Sequence, residues 1–266
     1  VYLINGHWQQ QLPAGDRAIQ FGDGCFTTAR VVAGEVRFLE QHLQRLRQGC
    51  RQLLMAEPDV SQIGAEMRLL ARQQADGVIK VIITRGSGGR GYSAANCSQP
   101  TRILCVSDAP QHYLAWRQQG VALALSPVRL GCNPALAGIK HLNRLEQVLI
   151  RTHLDQTGGE EALVLDSDGM LVECCAANLF WRKGNRVYTP SVDRAGVNGI
   201  MRQHIVALLA TSPWSVSEVR EPVQTLEEAD EVLACNALMP VLPVRQTETR
   251  HYSSRELWRW LAPQCE

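Results

Sequence analysis

Lysine is the residue this chain almost does without. Of its 27 basic residues only Lys80, Lys140 and Lys183 are lysine, and the remaining 24 are arginine. Arginine keeps its charge in nearly any setting, whereas a buried lysine can shed its proton and act as a base or carbonyl nucleophile. Any lysine chemistry therefore falls on one of three positions, although composition alone favours a plainer account of the scarcity, Arg-for-Lys drift across the surface. Net charge is missing too. At +1 overall, the chain has no basic surplus for neutralising phosphates, which argues against nucleic acid as its main partner. No run of 18 apolar residues occurs, so no membrane-spanning helix is expected. Val1 to Gly15 lacks the basic start and apolar run of a signal peptide. The nine cysteines are odd in number and contain no C-x-x-C, so neither a disulfide ladder nor a metal site is expected. They read as reduced thiols of a cytoplasmic protein.

What is present is enough apolar material for a real core: 45% of 266 residues, in one large domain or two modest ones. The opening VYLINGHWQ reads as a hairpin turning at Asn5-Gly6. A second hairpin runs from Phe26–Val32 through Ala33-Gly34-Glu35 into Val36–Phe38. Leu39, Leu43, Leu46, Cys50 and Leu53 recur at helical spacing, and a further helix is expected over 60–75. Strands follow at Val78–Arg85 and Arg102–Ser107, separated by the glycine-rich RGSGGRGYS. The pattern weakens around 108–120, and a domain boundary is placed there, giving domains 1–113 and 114–266. The second half opens with the strand VALALSPV. Leu142, Leu145, Val148, Leu149 and His153 mark a helix, and strands follow in EALVLD, MLVEC, NLFW and VYTP. Asn198 is read as the cap of a helix reaching about Ala210, and Ser253-x-x-Glu256 as the capping box of the last helix. Strand runs mixed with separate helices indicate an α+β fold.

Among the lysines, Lys183 sits in the Lys183-Gly184-Asn185 turn, and Lys80 lies within a strand, on its wetter face or at an edge. Lys140 differs, following Ala137-Gly138-Ile139 at a loop-to-helix junction. Downstream, Glu173 puts a carboxylate at the end of one strand, and Asn198-Gly199 opens a helix whose free N–H groups and positive dipole end suit an anion. A lysine, a carboxylate and a helix-start anion cradle together match pyridoxal phosphate, which needs a lysine for its aldehyde, an acid for its ring nitrogen and a site for its phosphate. A Cys–His hydrolase built on Cys174 or Cys175 lacks any specified partner histidine. His141 reads as a locally packed neighbour of Lys140 rather than a general base.

Residues 173–202 read E-x-C-x2-N-L-F-x6-V-x-T-x7-V-x-G-I-x-R. This resembles the signature of the class IV aminotransferase family, the fold-type IV pyridoxal-phosphate enzymes, at every fixed position. His42-Leu43-Gln44-Arg45-Leu46 resembles the family's H-L-x-R-L segment, and Phe21-Gly22-Asp23-Gly24-Cys25-Phe26 its F-G-D-G segment. The resemblance implies a two-domain fold, with a small α/β N-terminal domain and a larger β-barrel-like C-terminal domain carrying helices. It also implies a homodimer. Carried over, Lys140 is the Schiff-base lysine and catalytic base, and Glu173 is the partner of the pyridinium nitrogen. Arg45 and the backbone amides of Ile200 and Met201 become phosphate ligands, joined by Asn236 and Ala237, where relatives place Ser or Thr hydroxyls and backbone donation is expected instead. Thr27 stands where a common version of the family segment has glutamate, which leaves that position's role open.

Three stretches, Phe26–Arg30, Thr84–Tyr92 and Leu136–Leu145, are similar to the lyase branch of the family. That branch converts 4-amino-4-deoxychorismate to 4-aminobenzoate and pyruvate in folate biosynthesis. The alternative is a D-amino-acid or branched-chain aminotransferase on the same scaffold. A dicarboxylate substrate needs cationic or backbone donors, for which Arg30, Arg90 and Tyr92 are the candidates; Phe26, the pocket aromatic that the resemblance implies, and Thr28 complete the set expected to bind substrate.

Overall fold

The computed structural model describes residues 1–266, which divide into two compact units. The first comprises Val1–Ala109 with Ile139–Asn143, the second Pro110–Gly138 with Arg144–Glu266. The first break falls a few residues before the 113/114 boundary read from the sequence. The stretch containing Lys140, placed by sequence in the second domain, belongs to the first unit.

The first unit is built on a six-stranded antiparallel sheet in the order β2-β1-β6-β5-β3-β4. Its strands are β1 (Tyr2–Ile4), β2 (His7–Gln9), β3 (Gly24–Val32), β4 (Glu35–Val36), β5 (Gly77–Thr84) and β6 (Thr101–Ser107). Asn5 and Gly6 take the left-handed conformations that a two-residue hairpin turn requires. The second hairpin is tighter than expected. Its turn is Ala33-Gly34, Glu35 already lies in β4, and Phe38 leaves the strand to open the next helix with φ 54°. A five-residue helix, α1 (Arg17–Phe21), precedes β3, while α2 (Leu39–Gln52) and α3 (Val60–Gln73) cover one face of the sheet. Alternation along β3 sends Cys25, Ala29 and Val31 into that core with Leu43, Leu46 and Cys50 of α2 and Met67 and Leu70 of α3. The opposite face stays half-exposed.

The second unit holds an eight-stranded mixed sheet in the order β12-β11-β10-β13-β14-β7-β8-β9. In chain order these are β7 (Val121–Leu125), β8 (Glu161–Leu165), β9 (Leu171–Cys174), β10 (Asn178–Lys183), β11 (Arg186–Pro190), β12 (Ser215–Val219), β13 (Glu231–Cys235) and β14 (Leu242–Gln246). A three-residue link joins edge strand β9 to β10, so the sheet curls back on itself. Leu123, Leu163, Leu179, Trp181 and Val232 fill its interior. Its helices are α4 (His112–Gln119), α5 (Leu145–Thr157), α6 (Ile200–Leu209) and α7 (Glu256–Leu261). No helix of the chain is long and apolar enough to cross a membrane.

Four sequence readings are corrected. Helix α4 occupies the stretch where the apolar pattern had faded, because His112, Tyr113 and Trp116 pack on one another rather than forming a continuous stripe. In α5 the periodic residues face outward. Leu145, Val148 and Leu149 are 70, 55 and 49% exposed, and Ile150 and Leu154 form the core side. The N-cap of α6 is Gly199, not Asn198. The last helix is not capped by Ser253. Glu231, 1% exposed in β13, accepts the N–H groups of Leu257 (2.9 Å) and Trp258 (2.8 Å), with Arg182 Nε 3.5 Å from its carboxylate.

The cap is thus a buried carboxylate supplied from a distant strand, and removing it leaves two helix donors unmet and takes the one buried carboxylate from Arg182, which keeps Asp230 and Glu256. Glu231→Ala is expected to cost about 3 kcal/mol, measured by urea unfolding, whereas Ser253→Ala should stay within about 0.5 kcal/mol.

Candidate active site

Lys140 is placed by strand geometry. Along Gly24–Phe26 one edge of β3 is paired with β5, and the Lys140 stretch lies along the other. Phe26 N–H donates to Lys140 C=O (2.9 Å), Leu142 N–H donates to Gly24 C=O (3.0 Å), and Cys25 and His141 form an antiparallel bridge. The result sets Lys140 Nζ 4.8 Å from the centre of the Phe26 ring, on the sheet face away from the helices. Lys80 Nζ lies 4.9 Å from the same ring. Thr28 pairs across the strands with Lys80, and Arg30 lies one alternation further along β3. Two of the chain's three lysines therefore share one aromatic ring, with Thr28 and Arg30 beside them. Lys80 sits in a central strand rather than at an edge. The sequence placed it on a wetter face but gave no reason to group it with Lys140, because cross-strand register cannot be read from one strand alone.

Arg90 and Tyr92 ride on the glycine-rich loop instead. Buried Arg17 holds that loop by donating to the carbonyls of Gly91 (3.1 Å), Tyr92 (3.2 Å) and Ser93 (3.2 Å), and it pairs with Asp23 at 2.8 Å. Tyr92 rests against Phe21, ring centres 5.6 Å apart, with its side chain 91% exposed. Arg90 is exposed as well. Arg45 is half-buried on α2, one turn beyond fully buried His42.

In the second unit Glu173 is buried on β9, and its Oε2 accepts Val197 N–H at 2.8 Å. That contact depends on Gly196. Its φ of +83° favours glycine, and a Cβ there would sit 2.6 Å from Val172 Cγ1 and 3.2 Å from Glu173 Oε2. Half-buried Arg144 lies in the field of Glu173: burial lowers its pKa, while Glu173 and Glu146 oppose the shift. A cation and a backbone donor thus both favour the ionised carboxylate. Gly199 opens α6 with no side-chain cap, leaving the helix start open to an anion. A side chain at Gly199 would collide with Asn178 Oδ1, whose own amide donates to Val197 C=O at 2.9 Å. Ile200 and Met201 are the first two residues of that helix, so the positions expected to bind an anion through their backbone do stand at a helix N-terminus.

Asn236 has a local task. Its Oδ1 accepts Leu238 N–H (2.8 Å) and Met239 N–H (2.9 Å), and its Nδ2 donates to Ala176 C=O (2.9 Å). The amide is committed to the turn after β13, and any contribution of Asn236-Ala237 to anion binding falls to the backbone.

The class IV aminotransferase profile matches residues 24–247. The chain belongs to the class IV aminotransferase family. It is 37% identical to the aminodeoxychorismate lyase of Vibrio harveyi over 92% of this chain and 90% of that one. It also resembles the crystal structure of 4-amino-4-deoxychorismate lyase from Pseudomonas aeruginosa, with TM-score 0.93 and 37% identity over 99% and 97% of the two chains. A D-alanine aminotransferase of Bacillus licheniformis is 28% identical over 91% of this chain and 86% of that one. Family membership agrees with the two-domain α+β fold that the resemblance implies.

Glu161, which the sequence did not single out, lies beside the signature loop. Burial pushes its carboxyl up to about 7, against the opposing pull of the Ala162 and Ala176 N–H groups, which it accepts at 2.9 and 3.2 Å. A folded-state pKa raised above the unfolded value contributes stability at low pH that is lost as pH rises from about 4.5 to 7. Glu161→Gln, which carries no such proton, is therefore expected to gain about 3 kcal/mol relative to wild type between pH 4.5 and pH 8, read from urea unfolding at the two values.

Proposed function

We propose that the chain is a pyridoxal-phosphate-dependent lyase that converts 4-amino-4-deoxychorismate to 4-aminobenzoate and pyruvate. The donor set fits the cofactor. Lys140 offers an amine held against an aromatic ring, Glu173 a buried carboxylate, and α6 a helix start without a side-chain cap. Lys140 would hold the aldehyde carbon and Glu173 the ring nitrogen. Arg45 and the N–H groups of Ile200, Met201 and Ala237 would hold the phosphate. When bound, the cofactor supplies an electron sink for the carbanion left by loss of a proton next to the amino nitrogen.

The residues of the chain do the rest. Lys140 Nζ takes the proton from C4 of the substrate, and the Phe26 ring beside it shields the amine from water on one side and tolerates its charged form through the π face. Breaking the C4–H and C3–O bonds releases enolpyruvate and leaves an aromatic ring. The atoms balance without an outside oxidant or reductant.

The observation that carries the lyase reading over the aminotransferase one is the sheet face around Lys140. Lys80 and Arg30 bring two further cations to it, and β3, β5 and β6 contribute no acid to that face. A cationic surface of this kind suits a substrate with two carboxylates. Thr28 adds a hydroxyl, and Arg90 and Tyr92 are carried on the loop. The identity to the Vibrio harveyi lyase, above that to the D-alanine aminotransferase, supports the same choice. The outward apolar stripe of α5, Leu145, Val148 and Leu149, supports a homodimer. Free thiols throughout accord with the cytoplasm.

Incubation with 4-amino-4-deoxychorismate is expected to release pyruvate and 4-aminobenzoate in equal amounts, with Lys140→Ala at least about a hundredfold slower. Amino transfer from D-alanine or leucine to 2-oxoglutarate, with no pyruvate from the first substrate, would overturn the assignment.

A further inference from the structure

Thr27 lies on β3 between Phe26 and Thr28, two residues of the site face, yet alternation turns its own side chain inward. There its Oγ1 meets His42 Nδ1 at 2.6 Å, with both residues 0% exposed. The other ring nitrogen, His42 Nε2, is buried with no hydrogen-bond partner. Leaving a polar atom in that state costs stability that an aliphatic residue would not forfeit, so packing alone does not explain a histidine here.

His42 stands three residues before Arg45 on α2, and residues at that spacing share a helix face. Burial, helped by the charge of Arg45, lowers His42 to about 3, so the ring is neutral at any working pH. A neutral imidazole has one N–H, and its hydrogen bond with the Thr27 hydroxyl holds Nδ1 whichever of the two donates. The hydroxyl thereby fixes the orientation of the ring.

We infer that Thr27 and His42 form a positioning pair for Arg45: the Thr27 hydroxyl fixes the ring, and the neutral ring backs the guanidinium toward a phosphate. This gives a role to the position where a common version of the family segment has glutamate. Threonine orients the histidine without placing a second charge beside Arg45. The inference rests on the cofactor reading above and adds a component to it.

The test compares two probes on the full chain stripped of cofactor. Pyridoxal phosphate and pyridoxal, which lacks the phosphate, are titrated by absorbance into wild type, Thr27→Val, Thr27→Ser and His42→Leu, with melting temperatures measured alongside. Thr27→Val and His42→Leu are expected to weaken pyridoxal phosphate binding about tenfold while leaving pyridoxal binding unchanged, and Thr27→Ser is expected to restore the wild-type preference. Equal weakening of both probes marks a purely structural pair and overturns the inference. Wild-type preference retained in both Thr27→Val and His42→Leu overturns it as well. Wild type that binds neither probe overturns the cofactor reading itself, and this inference with it.

Discussion

Two backbone hydrogen bonds, from Phe26 N–H to Lys140 C=O and from Leu142 N–H to Gly24 C=O, determine where the Lys140 amine sits. They make five residues from the middle of the sequence an extra ladder along the open edge of β3. Once that edge is taken, strand alternation dictates the rest. Cys25 goes to the core, Phe26 to the outer face, and Lys140 Nζ comes to rest over the ring. The arrangement costs little because the backbone groups involved needed partners in any case.

The second unit solves a different problem, holding a carboxylate out of water. Glu173 is buried, accepts the Val197 N–H, and has Arg144 in its field. Glu161, on the neighbouring strand β8, also accepts backbone N–H groups and lies in the field of Arg151, yet burial raises it to about 7. There burial outweighs both the donors and the cation.

Local chemistry was legible in the sequence. Asn5-Gly6 announced its turn, the leucines of α2 their helix, and the 173–202 signature the carboxylate and the helix start that follows it. What escaped depends on partners far along the chain. Ser253-x-x-Glu256 has the form of a capping box, but Glu231 reaches the helix first. The apolar spacing of α5 marks a real helix and misidentifies its buried face, since periodicity fixes a stripe without saying what covers it. Lys80 comes to the Phe26 ring through register with Thr28, and the Asn236 amide is taken by two turn hydrogen bonds and one to Ala176.

The scarcity of lysine makes the central claim unusually easy to test, because only three amines besides the N-terminus can react. Borohydride reduction of the protein loaded with pyridoxal phosphate, followed by peptide mapping, places the cofactor on one of them. Recovery of the pyridoxyl label on the peptide containing Lys140 is the predicted result. A label on Lys80, which shares the Phe26 ring, or on Lys183 would contradict the account.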